Sequence, residues 1–315
     1  MSQKNLPLIF DTSDGQQLRI NTINTYLKKT LGKKVVKLSL DGKFTCPNRD
    51  GSKGVGGCLF CSSNGSGDTA AGSGDIQSDL DAQIRLLSDK WPEAAYLAYF
   101  QSHTNTYAPV HELRQKFYEA LSHPSVCGIA IATRPDCLPD DVIDLLDELN
   151  KETFMWVELG LQSIHENTMR NMNLCYSLRD YDEAISRLTS RNIKVVTHLI
   201  LGLPGESRDM MLDSVKYVCQ KDIFGIKLHM LNLVKGSQMA AAYPDYVSFG
   251  SIDEYVDLLI AALELIPPKI TVHRISADAP RSTLISPEWS YKKRTILNTI
   301  HKEMRTRNTW QGKRL

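Results

Sequence analysis

Three cysteines lie within sixteen residues, in the stretch "CPNRDGSKGVGGCLFC" at positions 46–61. Cys58 and Cys61 have a C-x-x-C spacing, and eleven residues separate Cys58 from Cys46. A closed structural zinc site needs four ligands, but the next His or Cys, His103, follows only after a predicted helix and strand. Three thiolates leave one iron of a four-iron cubane open to a small molecule. The spacing favours a [4Fe–4S] cluster; a zinc site with a distant fourth ligand and buried structural cysteines stay open as alternatives.

The residues between these cysteines suit a tight loop around a cluster. Four glycines allow the backbone to turn closely and to point N–H groups at cluster sulfurs, and Phe60 would shield the cluster. The remaining cysteines have no cluster spacing and are predicted to be ordinary small core residues. Seven cysteines, an odd number, do not suggest a disulfide framework. The glycines are Gly51, Gly54, Gly56 and Gly57, and the remaining cysteines are Cys127, Cys137, Cys175 and Cys219.

An α/β fold is predicted from the way strand-like and helix-like segments alternate along the chain. Seven short apolar segments alternate with six segments that have apolar residues at helical spacing. Such alternation indicates a parallel sheet with right-handed crossovers, either open and doubly wound or a closed or partial barrel. The predicted strands are 34–40, 94–100, 127–133, 153–161, 193–201, 225–231 and 269–275, and the predicted helices are 76–90, 109–121, 138–150, 180–191, 207–220 and 251–266, with Ser207 as an N-cap.

Polar residues follow each of the first six predicted strands. The first strand leads into the cysteine loop, and the next five end in "FQSHTNTY", "ATRPD", "ELGLQS", "THLILGLPGE" and "KLHMLNLVKG". In parallel α/β folds the reactive groups lie where strands end and the next loops begin. Any one of these clusters could be a turn or a helix cap. Six of them at one end of a sheet indicate a ligand-binding site.

The cysteine loop resembles that of radical S-adenosylmethionine enzymes, in the branch that includes the Elongator catalytic subunit and the YhcC/YtqA-type (MnmL) bacterial proteins. The segments "FQSHTNTYAP", "TRPD", "ELGLQS", "HLILGLPGE" and "VHRIS" resemble segments of the same branch, in the same order. The resemblance implies a partial (β/α)6 TIM-like barrel with the cluster at its C-terminal mouth. It places an N-terminal extension at 1–30, the barrel core at 31–275 and a basic helical C-terminal extension at 276–315.

The resemblance also implies the cofactors and their chemistry. Cys46, Cys58 and Cys61 would bind a [4Fe–4S] cluster, and its free iron would be chelated by the amino and carboxylate groups of S-adenosylmethionine. One electron from the reduced cluster breaks a carbon–sulfur bond of the cofactor. The resulting 5′-deoxyadenosyl radical takes hydrogen from an unreactive carbon, while the barrel orients the cofactor and excludes water. The electron donor is expected to be a protein such as flavodoxin or ferredoxin.

Contacts to S-adenosylmethionine are implied at the strand ends. In this superfamily the segment after the second strand holds the amino group, although no Gly-Gly-Glu sequence stands there in this chain. Arg134 precedes a proline at a strand end, where a lone buried arginine needs a partner and a cofactor carboxylate would serve. His198 could equally be a satisfied core histidine. The implied contacts are Gln101, Ser102 and Thr104 after the second strand, and Arg134, Glu158, Gln162 and His198 on the third to fifth strands.

The charge distribution suggests a polyanionic partner. Residues 290–315 carry eight Lys and Arg against one acid, and residues 28–43 carry six Lys against one acid. Such segments fit a nucleic acid, or else a solvated helix that only keeps the protein in solution. Trp289, Tyr291 and Trp310 could stack on unpaired bases. No membrane span and no signal peptide are recognised, so the expected location is the cytoplasm.

The resemblance favours tRNA as the partner, because the Elongator relative modifies wobble uridine and the YtqA-type proteins are linked to the bacterial wobble-uridine pathway. The expected reaction converts a carboxymethylaminomethyl group on that uridine to aminomethyl, beginning with hydrogen abstraction beside the carboxylate. An acetyltransferase domain is not expected after residue 275. Two alternatives stay open: a radical enzyme that acts on a protein or small metabolite, and a zinc-bound RNA-binding module without catalysis.

Overall fold

The computed structural model describes residues 18–62, 65, 70–276 and 279–315. Seven parallel strands form one sheet in the order β1-β2-β3-β4-β5-β6-β8, curled into a half-barrel. Repeated βα units produce this order, because each crossover returns the chain to the next position in the sheet. The strands are β1 Val35–Leu40, β2 Ala95–Phe100, β3 Val126–Thr133, β4 Phe154–Gln162, β5 Val195–Leu201, β6 Gly225–Met230, β7 Leu233–Val234, β8 Thr271–Arg274 and β9 Leu284–Ser286.

The predicted partial barrel and all seven of its predicted strands are confirmed. The six predicted helices are present as well, with ends within two residues of those expected. Ser207 is an N-cap, as predicted, and its hydroxyl accepts a hydrogen bond from the Met210 N–H. The helices are α1 Ile23–Leu31, α2 Ile76–Ser88, α3 Val110–Leu121, α4 Asp140–Glu152, α5 Glu166–Asn171, α6 Leu178–Thr189, α7 Arg208–Cys219, α8 Gln238–Ala242, α9 Ile252–Glu264 and α10 Lys293–Thr306.

Two apolar clusters lie on opposite faces of the sheet. The larger one fills the space between the outer face and the helices, and it includes Leu38, Phe100 and Leu146. The smaller one lies inside the half-barrel and includes Leu97 and Trp156, both fully buried. Because alternate residues of a strand point to opposite faces, each of the strands β1 to β5 contributes to both clusters. The inner cluster forms an apolar floor beneath the strand ends that carry the predicted site.

Helix α1 closes this floor and is not predicted from the sequence. Ile23 and Leu27 from one face of α1 join the inner apolar cluster. The helix begins at the N-cap Thr22, whose hydroxyl accepts from the Thr25 N–H, and ends at Gly32 in the left-handed conformation (φ 71°). It lies within the predicted N-terminal extension, of which residues 1–17 are outside the described part of the chain.

Further unpredicted elements surround the opposite end of the barrel. Helices α5 and α8 and the antiparallel pair β7–β9 contribute to a third apolar cluster, which includes Met172, Leu233 and Met239. Cys58, Leu59 and Phe60 of the cysteine loop pack against this cluster. These short elements therefore hold the loop against the carboxyl ends of the strands. No described helix is long and apolar enough to cross a membrane.

The basic C-terminal segment packs against the barrel through α10. Ile296, Ile300 and Met304 on one face of α10 are fully buried, and the helix contacts α9. Beyond α10, the Gln311 N–H donates to the Arg19 carbonyl at 2.9 Å. The two ends of the described chain therefore meet beside β8. The predicted boundaries after residues 30 and 275 stay a prediction, and residues 277–278 lie outside the described part.

Candidate cofactor site at the carboxyl ends of the strands

Nine of the ten predicted site residues line one cavity of about 390 Å³ at the carboxyl ends of the strands. They come from the cysteine loop and from the ends of β2 to β5, which the parallel sheet brings to one edge. Ser102 does not line the cavity and is buried nearby in the structure, with 2% of its surface exposed. The nine are Cys46, Cys58, Cys61, Gln101, Thr104, Arg134, Glu158, Gln162 and His198.

The cysteine loop is held by its own backbone and by two side chains that the sequence did not single out. The Asn48 amide donates to the Cys58 sulfur at 3.5 Å, and the Arg49 guanidinium donates to the Ser62 carbonyl. Glycine is required at Gly57, where φ is +85°. At Gly54, a Cβ would lie 2.2 Å from the Asn48 side-chain oxygen, so the loop closes tightly there.

A second segment, residues 172–176, clasps this loop. The Leu59 N–H donates to the Met172 carbonyl at 3.1 Å, and the Asn173 amide donates to the Gly57 carbonyl at 2.8 Å. Asn173 has a positive φ of 54°, which asparagine tolerates better than most residues. The clasp fixes the loop from the side of the barrel that α5 occupies.

Cys175 belongs to the clasp, and the prediction that it is a core residue is wrong. Its side chain is exposed, and its backbone is in the left-handed region (φ 58°) beside the cysteine loop. Of the other three, Cys137 is buried and Cys127 and Cys219 are half-buried, and none of the three lines the cavity.

Arg134 has a protein partner, so the argument that it needs a cofactor carboxylate is wrong. Its Nε and one terminal nitrogen donate to the two oxygens of Asp136, both at 2.9 Å. The other terminal nitrogen lies 4.0 Å from the Cys46 sulfur, and the guanidinium stacks 4.9 Å from the Tyr176 ring centroid. Lys53 also pairs with Asp136, at 2.7 Å. Arg134 is thus a fixed cation that faces the thiols.

Of the cluster-loop thiols, Cys58 lies in an environment that favours the thiolate. The hydrogen bond from Cys61 lowers the pKa of Cys58 to about 7, and the nearby charges of Arg134 and Arg49 act in the same direction. The same hydrogen bond and burial raise the pKa of Cys61. Within residues 18–62, 65, 70–276 and 279–315, no three His, Cys, Asp or Glu side chains are close enough for one metal ion.

Glu158 is the centre of a buried network below the thiols. One carboxylate oxygen accepts from the Trp156 indole N–H at 3.0 Å and lies 3.4 Å from the Lys37 amine. The other accepts from the Lys227 amine and lies 3.0 Å from His198 Nε2. Burial opposes ionisation of Glu158, but the charges of Lys227 and Lys37 outweigh it and hold its pKa well below its ordinary value. Lys227 was not a predicted site residue.

His198 is both a satisfied histidine and a lining residue. Besides its contact with Glu158, its ring lies 5.4 Å from the His229 ring. Burial lowers the pKa of His198 to about 4, so the ring is neutral at pH 7. His229 Nε2 and Asn232 Oδ1 also line the cavity, and within the described chain these two buried atoms have no hydrogen-bond partner. Buried polar atoms without partners are rare and point to a bound ligand or water.

A larger groove, of about 880 Å³, lies on the outside of the half-barrel. Tyr107, Leu138 and Arg187 are among its lining residues, and so are Pro47, Ser52 and Lys53 of the cysteine loop. It holds none of the ten predicted site residues. The smaller cavity is the candidate site, because it collects the thiols, the fixed cations and the unpartnered polar atoms.

Comparisons with known proteins agree on one family. Residues 48–218 match the model of the Radical SAM superfamily, and residues 223–306 match the Radical SAM C-terminal domain. The chain is 47% identical to YtqA of Bacillus subtilis over 94% of this chain and 92% of that protein. It is 40% identical to YhcC of Escherichia coli over 87% of this chain and 88% of that protein.

More distant proteins share the fold. Elongator complex protein 3 of Saccharomyces cerevisiae is 26% identical over 60% of this chain, which corresponds to 36% of that protein. The structure of Elp3 from the archaeon Methanocaldococcus infernus superposes with a TM-score of 0.66, at 17% identity, over 88% of this chain and 64% of that one. Methylornithine synthase superposes with a TM-score of 0.53, at 10% identity, over 91% and 86% of the two chains. At such identities the likeness concerns the fold.

Proposed function

We propose a function for this chain from one premise: the chain belongs to the Radical SAM superfamily. Its cofactors are those of the family, a [4Fe–4S] cluster and S-adenosylmethionine. The proposed activity is the modification of tRNA, in which a carboxymethylaminomethyl group on the wobble uridine is converted to aminomethyl. The methylene beside the carboxylate would lose a hydrogen atom and one further electron, which the oxidised cluster would accept, and water would hydrolyse the resulting imine and release the two carbons as glyoxylate. The observation that supports it best is the cavity in which three cysteines meet a charged barrel interior.

The residues around the cavity fit these cofactors. Three thiols supply a donor set that leaves one iron open, and the Asn48 amide already donates to one of them, as outer partners of cluster sulfurs do. Arg134 and Arg49 supply positive charge beside thiols that bind iron as thiolates. The unpartnered atoms of His229 and Asn232 leave polar contacts for a ligand.

Each predicted residue except Glu158 receives a role in this proposal. Cys46, Cys58 and Cys61 hold the cluster, and Arg134 stabilises their negative charge from the position that Asp136 fixes. When bound, the cluster and S-adenosylmethionine supply a radical that takes a hydrogen atom from a carbon of the substrate. The apolar floor and α1 keep water from the inner end of the barrel. Gln101, Thr104, Gln162 and His198 contact S-adenosylmethionine, and Ser102, which does not line the cavity, supports the segment that carries Gln101 and Thr104.

Positive charge supports a nucleic-acid partner, although part of this charge lies at the end of the barrel away from the cysteine loop. Lys28 to Lys34 precede β1, whereas the cysteine loop follows it, so the strand separates them by about 20 Å. The basic residues of 290–315 are all exposed, and the tail that carries the last of them bonds to residues 19–21 near this far end. A large polyanion could reach both the far end and the mouth.

The aromatic residues of the C-terminal segment do not support this part of the proposal. Trp289 packs against the core, with its ring 6.2 Å from the Tyr255 ring. The rings of Tyr291 and Trp310 are already covered by cations, Arg281 at 3.9 Å and Lys313 at 4.4 Å. Stacking on unpaired bases is therefore not expected from these three rings in the observed conformation. The support comes from charge and from the Elongator relatives.

The test is a single-turnover assay under exclusion of oxygen. Enzyme with reconstituted cluster, a chemical reductant and S-adenosylmethionine is incubated with tRNA that carries the carboxymethylaminomethyl group, and the nucleosides are analysed by mass spectrometry. We expect conversion to the aminomethyl nucleoside together with 5′-deoxyadenosine. Unchanged nucleosides, with 5′-deoxyadenosine still formed, would reject the tRNA reaction and favour a protein or small-metabolite substrate.

A further inference from the structure

Two lysines share one carboxylate inside the half-barrel. Lys37 of β1 and Lys227 of β6 both contact Glu158 of β4, and within the described residues no other carboxylate lies within 4.0 Å of either amine. Lys227 also donates to the Tyr99 hydroxyl at 3.0 Å. With both amines charged, the group carries one positive charge more than Glu158 balances.

One lysine of the pair faces the cavity, and the other stands behind the shared carboxylate. Lys227 lines the cavity, as do Glu158 and His229, whereas Lys37 is not among the lining residues and has 26% of its side chain exposed. Along β6, Lys227 stands two residues before His229, so it points to the same inner face but lies deeper. The pair thus forms a layer between the apolar floor and the mouth that holds the cysteines.

An excess charge in such a place favours an anionic ligand. Burial disfavours the ammonium form of Lys227 and lowers its pKa, and a second negative charge would stabilise that form. Apolar side chains in the barrel interior would cost less free energy to bury than a carboxylate with two cations does. The unpartnered Nε2 of His229 adds a polar contact beside the lysines.

We infer that Lys37 and Lys227, held on Glu158, bind a carboxylate of the substrate. This assignment rests on the proposed function, in which the reacting side chain ends in a carboxylate. This site gives that carboxylate a role, because binding the carboxylate between the lysines would place the neighbouring methylene below the mouth that holds the cysteines. The aminomethyl product has lost the carboxylate and has a cationic amine, which the two lysines repel, so the same site favours product release.

The experiment compares two tRNAs that differ only in this charge. One carries the carboxymethylaminomethyl group and the other its primary amide, which has a similar shape and no charge. The affinity of the oxidised holoenzyme for each tRNA is measured in the presence of S-adenosylmethionine, because the oxidised enzyme does not start the reaction. We expect the acid to bind about 10- to 100-fold tighter, the range of a charge-assisted hydrogen bond. Turnover of both tRNAs is then measured with the reduced enzyme.

Three variants locate the effect. Lys37→Met and Lys227→Met are expected to reduce the preference for the acid to about threefold or less, and Lys37→Arg to retain it. Lys33→Met, which removes an exposed lysine close to β1, serves as the matched control. It is expected to weaken the binding of both tRNAs equally, if at all. Cluster content and thermal stability show whether each variant is folded.

The outcomes separate this inference from the proposed function. Equal binding of acid and amide by the wild type, or a preference that both methionine variants retain, would overturn the carboxylate site. A preference for the acid without any nucleoside conversion would reject the proposed reaction and leave the carboxylate site standing. Conversion of the acid-bearing tRNA without a binding preference would support the proposed reaction and overturn the carboxylate site.

Discussion

The substitution Glu158→Gln is expected to destabilise the protein by about 3–5 kcal/mol, the usual loss when one partner of a buried ion pair is removed. Glutamine keeps the shape of the side chain and removes its charge. The Lys227 amine is then buried beside an amide, and Lys37, 3.4 Å from the carboxylate in the wild type, loses its counterion. At an effective dielectric constant of 20, two charges 4 Å apart attract by about 4 kcal/mol.

Thermal unfolding of the two proteins measures this loss. For domains of this size, about 3–5 kcal/mol corresponds to an apparent melting temperature lowered by roughly 6–15 °C. The difference in stability between the variant and the wild type should become smaller as the pH rises toward the ordinary lysine pKa of 10.5. Burial lowers the pKa of Lys227 in the folded state, and near pH 10.5 the lysine of the unfolded chain releases its proton as well. Chemical denaturation at pH 7 and pH 9 checks the slope.

The surface substitution Glu148→Gln is the matched control. Glu148 also accepts from a cation, Arg114, but both side chains are more than a third exposed. Exposed ion pairs are screened by water and contribute little, so this variant should melt close to the wild type. If Glu158→Gln and Glu148→Gln lowered the melting temperature equally, the carboxylate would not be the electrostatic centre of the barrel.

Three further predictions concern the cysteines, His198 and the basic face of α10. Cys46→Ser should lose most of its iron and lower 5′-deoxyadenosine formation by at least about 100-fold, whereas Cys219→Ser should keep both by iron assay and chromatography. His198 should by itself contribute a loss of about 3 kcal/mol as the pH falls from 6.5 to about 4, because it is neutral when folded and becomes protonated when unfolded; the loss in His198→Gln should be smaller than in the wild type by about this amount, and equal losses would contradict it. Lys302→Glu with Arg305→Glu should weaken tRNA binding and reduce the slope of log affinity against log salt by about 2, and equal slopes would exclude phosphate contacts there.

The sheet could be predicted because its signal is local. Each strand is a short apolar run with helical spacing on both sides, and the order of the strands follows from the handedness of the crossovers. Helix α1 gave no such signal. It has nine residues, and its stability comes from Ile23 and Leu27 docked on the barrel floor, a contact that depends on the finished sheet.

The position of the cavity could be predicted from the sequence, but the contacts between its residues could not. The pairing of Arg134 with Asp136 could have been predicted, because the two residues stand two positions apart at a strand end. The clasp at Asn173 depends on a positive φ that no residue pattern reports. Lys227 had a weaker signal: a lysine inside the apolar strand "GIKLHML", whose partner Glu158 is 69 residues away. Only the folded barrel joins them.

The order of the layers in the half-barrel is itself an argument for chemistry. The floor around Trp156 is apolar and closed by α1, the next layer holds two lysines on one glutamate, and the mouth holds three thiols beside fixed arginines. A barrel selected for stability alone would fill its middle layer with apolar side chains, since buried ion pairs rarely stabilise more than such packing does. A charged layer directly below the candidate cofactor site, with low-dielectric surroundings that strengthen its field, fits the charged reactant of the proposed function. The carboxylate site proposed for Lys37 and Lys227 therefore accounts for a charged layer of the barrel interior that packing alone leaves unexplained.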